Sequence, residues 1–386
     1  MLIVDAHQDL AYNILTFERD YRLSAYETRR REQGTETPIR NGDTLLGYPE
    51  YRRGRVGVIF ATLFAGPAHR KLGEWDTQTY QTAEQAHTLY RNQLDTYLRL
   101  ADESPDHFRL IHTKNDLREV LSKWEQEDNG LEEEHANGEQ SPQMEDLDEK
   151  AVDPPIPAGL VVLMEGAEGI RRPEELVEWW ELGVRIIGPA WAGTRFCGGT
   201  REPGPMTREG FELLEAMADL GFGLDISHMD EQAVLQALEV YPGTIIASHS
   251  NVNALLKGAD TNRHLSNRVI EGLLERNGMI GTVICNGFLK AGWKIPDGRH
   301  QVSLQDVAAH IDYICQRAGD PFHAGIGTDF DGGYGWQSTP HEIDTIADLP
   351  KLVPLLAEKG YQEGHIGAIL GKNWLDRLDI ILPEAV

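Results

Sequence analysis

Eight short apolar segments recur along the chain, and most are continuous and rich in valine and isoleucine. They are Leu2–Ala6, Val56–Phe64, Leu160–Met164, Val184–Ile187, Phe222–Ile226, Thr244–Ala247, Met279–Ile284 and Ala324–Gly327. Apolar runs without polar alternation suit strands buried on both faces, as in a parallel sheet. Amphipathic segments with helical spacing lie between them: Thr79–Ala101, Pro173–Leu182, Thr207–Leu220, Asp230–Val240, Ser266–Arg276 and Ser303–Ala318. Ser303, with Asp306 three residues on, and Thr207 before Arg208 and Glu209 read as N-caps. This alternation of strand and helix predicts an α/β fold with a parallel sheet.

The residues at the strand ends separate a closed ring from an open sheet. His7 and Asp9 follow the first run in DAHQDL, and Glu165 follows the third in LMEGAEG. His228 ends the fifth in LDISHMD, His249 the sixth in IASHSNV, and Asp329 the eighth in GIGTDFDGG. An open sheet places its ligand at one switch point, whereas a barrel brings every strand end to a single face. The expectation is a (β/α)₈ TIM barrel with long inserted loops. A chain of 386 residues with 40% hydrophobic content fits one such domain over 1–386. The polar connection Ala11–Arg55 is expected to cover the barrel mouth. Between Glu125 and Glu149 there are eleven acidic residues and no Lys or Arg, so 126–157 is expected to be a flexible acidic insertion.

A formal net charge of -26 opposes binding to nucleic acid or to an anionic membrane through bulk electrostatics. No apolar run approaches the ~20 residues of a membrane span. The start MLIVDAH reads as a strand rather than a basic, then apolar leader, and a cytoplasmic location is expected. Cys197, Cys285 and Cys315 are widely spaced, which suggests neither a disulfide framework nor a CxxC zinc site.

Residues i and i+2 of a strand share a side, so His7 and Asp9 can face one metal ion. Imidazole nitrogen and carboxylate oxygen both suit zinc at ~2.0–2.2 Å, and they also suit manganese, iron or cobalt. Taken singly, each residue has a structural explanation: a satisfied polar group for either histidine, a loop turn for DFDGG. Together they favour a metal centre. Glu165 at the end of a buried strand needs a compensating partner, and its two oxygens can bridge two cations. His7, Asp9 and Glu165 would then hold one ion, and Glu165, His228 and His249 the other. Three protein ligands per ion leave room for a shared water, as at a catalytic site. Two ions ~3.5–4 Å apart activate water and polarise a carbonyl. Asp329 can carry the proton to a leaving amine, with Asp331 supporting it or the GGYGW loop.

In order along the chain, DAHQDL, GRVGVIFATLFA, MEGAEG, DISH, SHS, NRHLSN and GTDFDG resemble the membrane dipeptidase (renal dipeptidase) family of metallopeptidases, among the amidohydrolase-like barrels. The resemblance implies two zinc ions bridged by Glu165 and completed by His7, Asp9, His228 and His249. It also implies a dipeptide cleaved by attack of a metal-bridging hydroxide, with Asp329 as proton carrier and Arg263 on the substrate's terminal carboxylate. It points further to a homodimer. The chain departs from the family pattern in two places. The family's substrate-contacting histidine after the fourth strand is missing from Gly183 to Phe196, where Trp191 stands instead as the expected substrate contact. The segment GTVICNGFLKAGW lacks the family's tyrosine. Tryptophan can shape a pocket and donate one hydrogen bond, but it takes no proton. Two alternatives remain beside a dipeptidase: a hydrolase of another small amide or specialised metabolite, and a metal-binding homologue without turnover.

Overall fold

The computed structural model describes residues 1–136 and 155–385. Its main sheet is wholly parallel and contains a closed ring. The ring strands are β1 (Ile3–Gln8), β2 (Val56–Phe64), β3 (Ala158–Glu165), β4 (Val184–Gly188), β5 (Gly223–Asp225), β6 (Ile245–Ala247), β7 (Met279–Thr282) and β8 (Ala324–Ile326). Each pairs with the next in the chain, and β8 pairs back onto β1. The expected (β/α)₈ barrel is therefore present, and every ring strand lies within three residues of its predicted bounds. A further strand, Phe108–Leu110, pairs with the first residues of β3, before β4 takes over from Val162 onward.

Two helices begin where their caps predict: Thr207 accepts from Gly210 N–H, and Ser303 with Asp306 forms a capping box. Ser266 and Asp230 also cap helices, accepting from Val269 N–H and Gln232 N–H. One boundary moves. Thr79–Tyr80 is a short strand against Gly66–Pro67, and the helix runs Ala83–Glu103 behind its cap Thr82. The connection Ala11–Arg55, read as a polar cover, is built around helices at Leu10–Phe17, Ala25–Glu32, Thr37–Asn41 and Tyr48–Gly54.

The acidic segment needs a larger correction. Residues up to Ala136 belong to a helix, Lys114–Ala136, rather than to a loop. Leu117, Val120 and Trp124 give that helix an apolar stripe, and all three are buried in one cluster that also holds Val4, Val58 and Val161. Trp124 Nε1 donates to Pro157 O at 3.0 Å, and Arg52 Nη2 meets Glu127 Oε1 at 2.5 Å. Glutamate is a good helix former, so acidity alone did not forbid this. The rest of the expected insertion, 137–154, lies outside the described residues.

Alternating residues on each strand fill the barrel. Val58 and Phe60 on β2 and Val161 and Leu163 on β3 form one buried cluster with Trp374 of the helix Asn373–Ile381. Thr62 and Glu165 continue the same faces upward. The indole of Trp374 lies edge-on to Phe60, with centroids 5.3 Å apart, and donates to Ile326 O at 3.0 Å. It fits because residue 325 is glycine, where a Cβ would stand 2.4 Å from the indole nitrogen. Trp374→Ala should therefore leave a cavity costing about 3–5 kcal/mol, measured as a lower urea midpoint with little change in m. An unchanged midpoint would show that Trp374 does not support the barrel.

Candidate active site

A bulge in β1 aims the first pair of site residues. The β1–β2 register shifts between Asp5 and Gln8, so β1 holds an extra residue there. Val4 and Ala6 pack inside the barrel, and after the shift His7 also reaches inward, its Nε2 3.7 Å from Glu165 Oε2. His7 Nε2 is 3.9 Å from Asp9 Oδ1 and 3.8 Å from Asp329 Oδ1. Thr62, on the inner face of β2, donates its hydroxyl to Asp9. Across the ring, Glu165 Oε1 lies 3.1 Å from His228 Nε2 and 3.3 Å from His249 Nε2, and the two imidazole nitrogens are 3.0 Å apart.

These spacings fit a cation. Ligand bonds of ~2.0–2.1 Å at the tetrahedral angle put donor atoms roughly 3.3 Å apart, close to the Glu165–His228–His249 triangle. The His7 side is wider. His7, Glu165 and His249 form one group with donor atoms mutually within 4.8 Å, and His7, Asp9 and Asp329 form another. Asp329 thus stands among the potential donors on the His7 side. His7 Nδ1, His7 Nε2 and Glu165 Oε1 are buried without a hydrogen-bond partner, a costly state unless something binds them.

Protonation points the same way. Burial lowers the pKa of His7 to about 3, with the Arg263 charge adding to the effect, and holds His228 and His249 well below the usual imidazole range. Neutral imidazole is the form that binds a metal. Burial raises Asp9 to about 6 and pushes Glu165 and Asp329 well above the carboxylate range, helped by repulsion among them. Three crowded carboxylates and three neutral imidazoles form an acidic donor set that a divalent cation would stabilise.

Hydroxyls orient the imidazoles. His249 Nδ1 lies 2.8 Å from Ser248 Oγ, which donates to Asp225 at 2.5 Å, and His228 Nδ1 lies 3.0 Å from Thr200 Oγ1. Both Nε2 atoms are thereby turned toward Glu165, the arrangement in which an outer partner fixes a metal-binding tautomer. His228 adopts φ 68° and Asp329 φ 60°, left-handed conformations that hold only where the surroundings impose them.

Asp331 imposes one of them. Its carboxylate accepts from Arg19 Nη1 at 3.0 Å, Tyr21 OH at 3.0 Å, Thr44 Oγ1 at 2.5 Å and Leu45 N–H at 2.9 Å. Its carbonyl accepts from Asn13 and Asn41. Asp331 therefore supports the loop rather than facing the donors. At Gly332 a Cβ would lie 2.0 Å from Asp329 Oδ1, so only glycine lets the chain turn this close to that carboxylate.

Above the donors opens a cavity of about 440 Å³. Asp9, Glu165, Trp191, His228, Arg263 and Asp329 all line it, while His7 and His249 are buried and meet Glu165. Arg263 is buried, with Nη1 3.1 Å from Ser250 Oγ and Nη2 2.6 Å from His249 O. The Trp191 ring lies 5.1 Å from Phe64 and 6.2 Å from His228, forming a wall. Sequence reasoning missed several lining residues. Tyr334 brings a phenol from the GGYGW loop, donating to Thr328 O at 2.6 Å, although the segment after β7 has no tyrosine. Tyr12, Thr200 and Arg201 also line the cavity, and only the position of Tyr12 one helical turn after Asp9 could have signalled it.

Residues 156–379, more than half of the chain, match the family Membrane dipeptidase (Peptidase family M19). The matched segment holds Glu165, His228, His249, Arg263 and Asp329, while His7 and Asp9 precede it. A Klebsiella pneumoniae protein, the uncharacterized protein in the pqqA 5' region, is 31% identical over 228 residues, covering 56% of this chain and 79% of its own. An uncharacterized dipeptidase of Schizosaccharomyces pombe is 26% identical over 230 residues, covering 56% of this chain and 52% of its own. The chain thus spans about half the length of several curated relatives that it matches. A metallo peptidase from Rhodobacter sphaeroides, solved with a phosphinate mimic of the dipeptide L-Ala-D-Ala, has the same fold, with a TM-score of 0.70, 23% identity and 99% of each chain covered.

Asp331→Ala should leave Arg19, Tyr21 and Thr44 without their buried acceptor. The Arg19 and Asp331 side chains are both fully buried, so the loss should be about 3–5 kcal/mol in chemical denaturation. A change below about 1 kcal/mol, the size typical of a surface ion pair, would show that Asp331 does not anchor the loop.

Proposed function

The chain belongs to the membrane dipeptidase family, peptidase family M19, and on that premise we propose that it hydrolyses the amide bond of dipeptides or similar small substrates with a free carboxylate, using two divalent cations, zinc by preference. The observation that carries the proposal is the buried set of neutral imidazoles and crowded carboxylates around Glu165, whose Oε1 has no hydrogen-bond partner.

In this reading Glu165 would be shared between two cation sites, one completed by His7 and Asp9 and the other by His228 and His249. Bound there, divalent cations would supply Lewis acidity and a nucleophilic water at neutral pH. Asp329 would accept the proton from the attacking water and return it to the leaving amine; what supports this role is its Oδ1 at the cavity floor, 3.8 Å from His7 Nε2. Burial and the neighbouring Asp9 raise its pKa, which suits a group that must release the proton again. Arg263, with its fork steadied by Ser250 and the His249 carbonyl, presents a planar donor to the terminal carboxylate. Phe64, Trp191 and Phe288 exclude water from the apolar part of the substrate. Trp191 favours a second reading, hydrolysis of another small amide, because an indole stands where the family has a histidine and cannot exchange protons.

A library of L-Xaa-L-Xaa and L-Xaa-D-Xaa dipeptides, with metal content determined on the same sample, tests the proposal. Cleavage with about two metal ions per chain is expected; two ions without cleavage of any dipeptide would move the weight to the second reading. Asp329→Asn should keep fold and metal content while lowering kcat at least about 100-fold, and full turnover would remove its role. Glu165→Ala should deplete both metal positions, and retention of both ions would contradict the bridge. Arg263→Ala should raise KM more for free-carboxylate substrates than for their amides, and equal effects would remove the clamp.

A further inference from the structure

A hairpin, Cys197–Gly199 with Glu202–Met206, lies between β4 and β5. Its turn is locked. Thr200 contacts His228 Nδ1, and Arg201 takes φ 64°, an uncommon conformation for a bulky side chain. The Arg201 N–H donates to Asn262 Oδ1 at 2.8 Å. Asn262 Nδ2 in turn donates to Gly199 O at 3.0 Å and to Asp230 Oδ2 at 2.9 Å. Asn262 directly precedes Arg263, so the turn is tied to the segment that carries the proposed carboxylate clamp. Arg201 lines the active-site cavity, and with His228, Thr261 and Arg263 it also borders a neighbouring cavity of about 580 Å³.

The Arg201 side chain is exposed and has no acidic partner among the described residues, in a chain where 62 acidic residues face 36 basic ones. The adjacent carboxylates are engaged. Glu202 accepts from Arg70 at 2.6 Å, from Gly193 N–H at 3.1 Å and lies 2.8 Å from His69. Asp230 accepts from Asn262 and from Gln232 N–H. The other exposed cation lining the mouth is also occupied: Arg40 stacks over Trp75 at 5.6 Å, with Glu36 at 3.7 Å. Glu231 and Asp260 line the neighbouring cavity and would repel an anion there. On the active-site side Asp76 is engaged by Tyr12 OH and Leu72 N–H, and Asp9, Glu165 and Asp329 are the carboxylates that the proposed cations would neutralise, so that side of Arg201 is the better place for an anion.

We propose that Arg201 selects substrates whose C-terminal residue carries a side-chain carboxylate. This rests on the dipeptidase reading of the same site. With the terminal carboxylate on Arg263, the side chain of that residue can turn toward Arg201 across the Asn262 linkage. Two guanidinium groups then meet two carboxylates of one residue. A neutral side chain leaves Arg201 in water without penalty, so the effect is a preference rather than an exclusion.

The test compares metal-loaded wild type with Arg201→Gln on Ala-Glu and Ala-Gln, each with an L or a D second residue. The Glu:Gln ratio of kcat/KM should be at least about tenfold in wild type and fall to about one in the variant, mainly through KM. The same four dipeptides with the scissile carbonyl reduced to methylene report binding by calorimetry without turnover. A Glu preference in binding that vanishes in Arg201→Gln, with no dipeptide cleaved, would support Arg201 and remove the dipeptidase reading. Cleavage with equal ratios in the two proteins would keep that reading and overturn the role of Arg201. Neither cleavage nor binding would overturn both.

Discussion

Three carboxylates are buried together, and among the described residues Arg263 is the cation that offsets Glu165 and Asp329. Asp9, Glu165 and Asp329 repel one another and are all pushed toward the protonated state. An isolated buried charge of this kind is costly, and a barrel that closes around it must supply counter-charge or lose stability. Much of the local architecture follows from this constraint. The bulge in β1 turns His7 inward, hydroxyls of Thr200 and Ser248 set the imidazole orientations, and Thr62 holds Asp9. Each device keeps a donor atom aimed at the crowded centre. Folding and metal binding are therefore linked: an ion that binds only the native ring adds its binding free energy to stability.

The first connection and the last loop are one mechanical unit, though 290 residues separate Asn41 from Asp331. Arg19, Tyr21, Thr44 and Leu45 meet on the Asp331 carboxylate, and Asn13 and Asn41 meet on its carbonyl. Asp329, two residues earlier, has no such set of its own among the described residues. Its left-handed backbone is held by what Asp331 binds and by the close turn at Gly332. The proposed proton carrier is thus positioned by groups outside the set of imidazoles and carboxylates, although Asn41 also lines the cavity.

The barrel was legible because its strands are buried on both faces and so read as plain apolar runs, and because five of them end in polar residues. The convergence of the polar residues was legible only in combination: a single His or Glu after such a run has a structural explanation, whereas His7, Glu165, His228 and His249 at the ends of separate strands must meet once the ring closes, and their side-chain atoms do meet. The bulge was not legible, since a register shift between Asp5 and Gln8 leaves no trace in the composition of β1. The helix Lys114–Ala136 was missed because its acidic face outweighed the stripe of Leu117, Val120 and Trp124, and burial of that stripe decides the structure. The substrate wall was the least legible part. Tyr334 and Arg201 enter the cavity from a loop and a hairpin whose placement depends on long-range ties to Thr328 and Asn262.

Those ties bear on how the site distributes charge. The cavity floor is acidic, while Arg40, Arg70, Arg201 and Arg263 stand around its walls and rim. In a chain with a net charge of -26, the general field disfavours anionic ligands, and local guanidinium groups must overcome it at the mouth. Cations bound at the floor would remove the acidic contribution and leave the rim dominant. Ion loading would then determine both the chemistry and the sign of the field that a substrate meets. In this arrangement an anionic substrate would be attracted mainly to protein that already holds its ions.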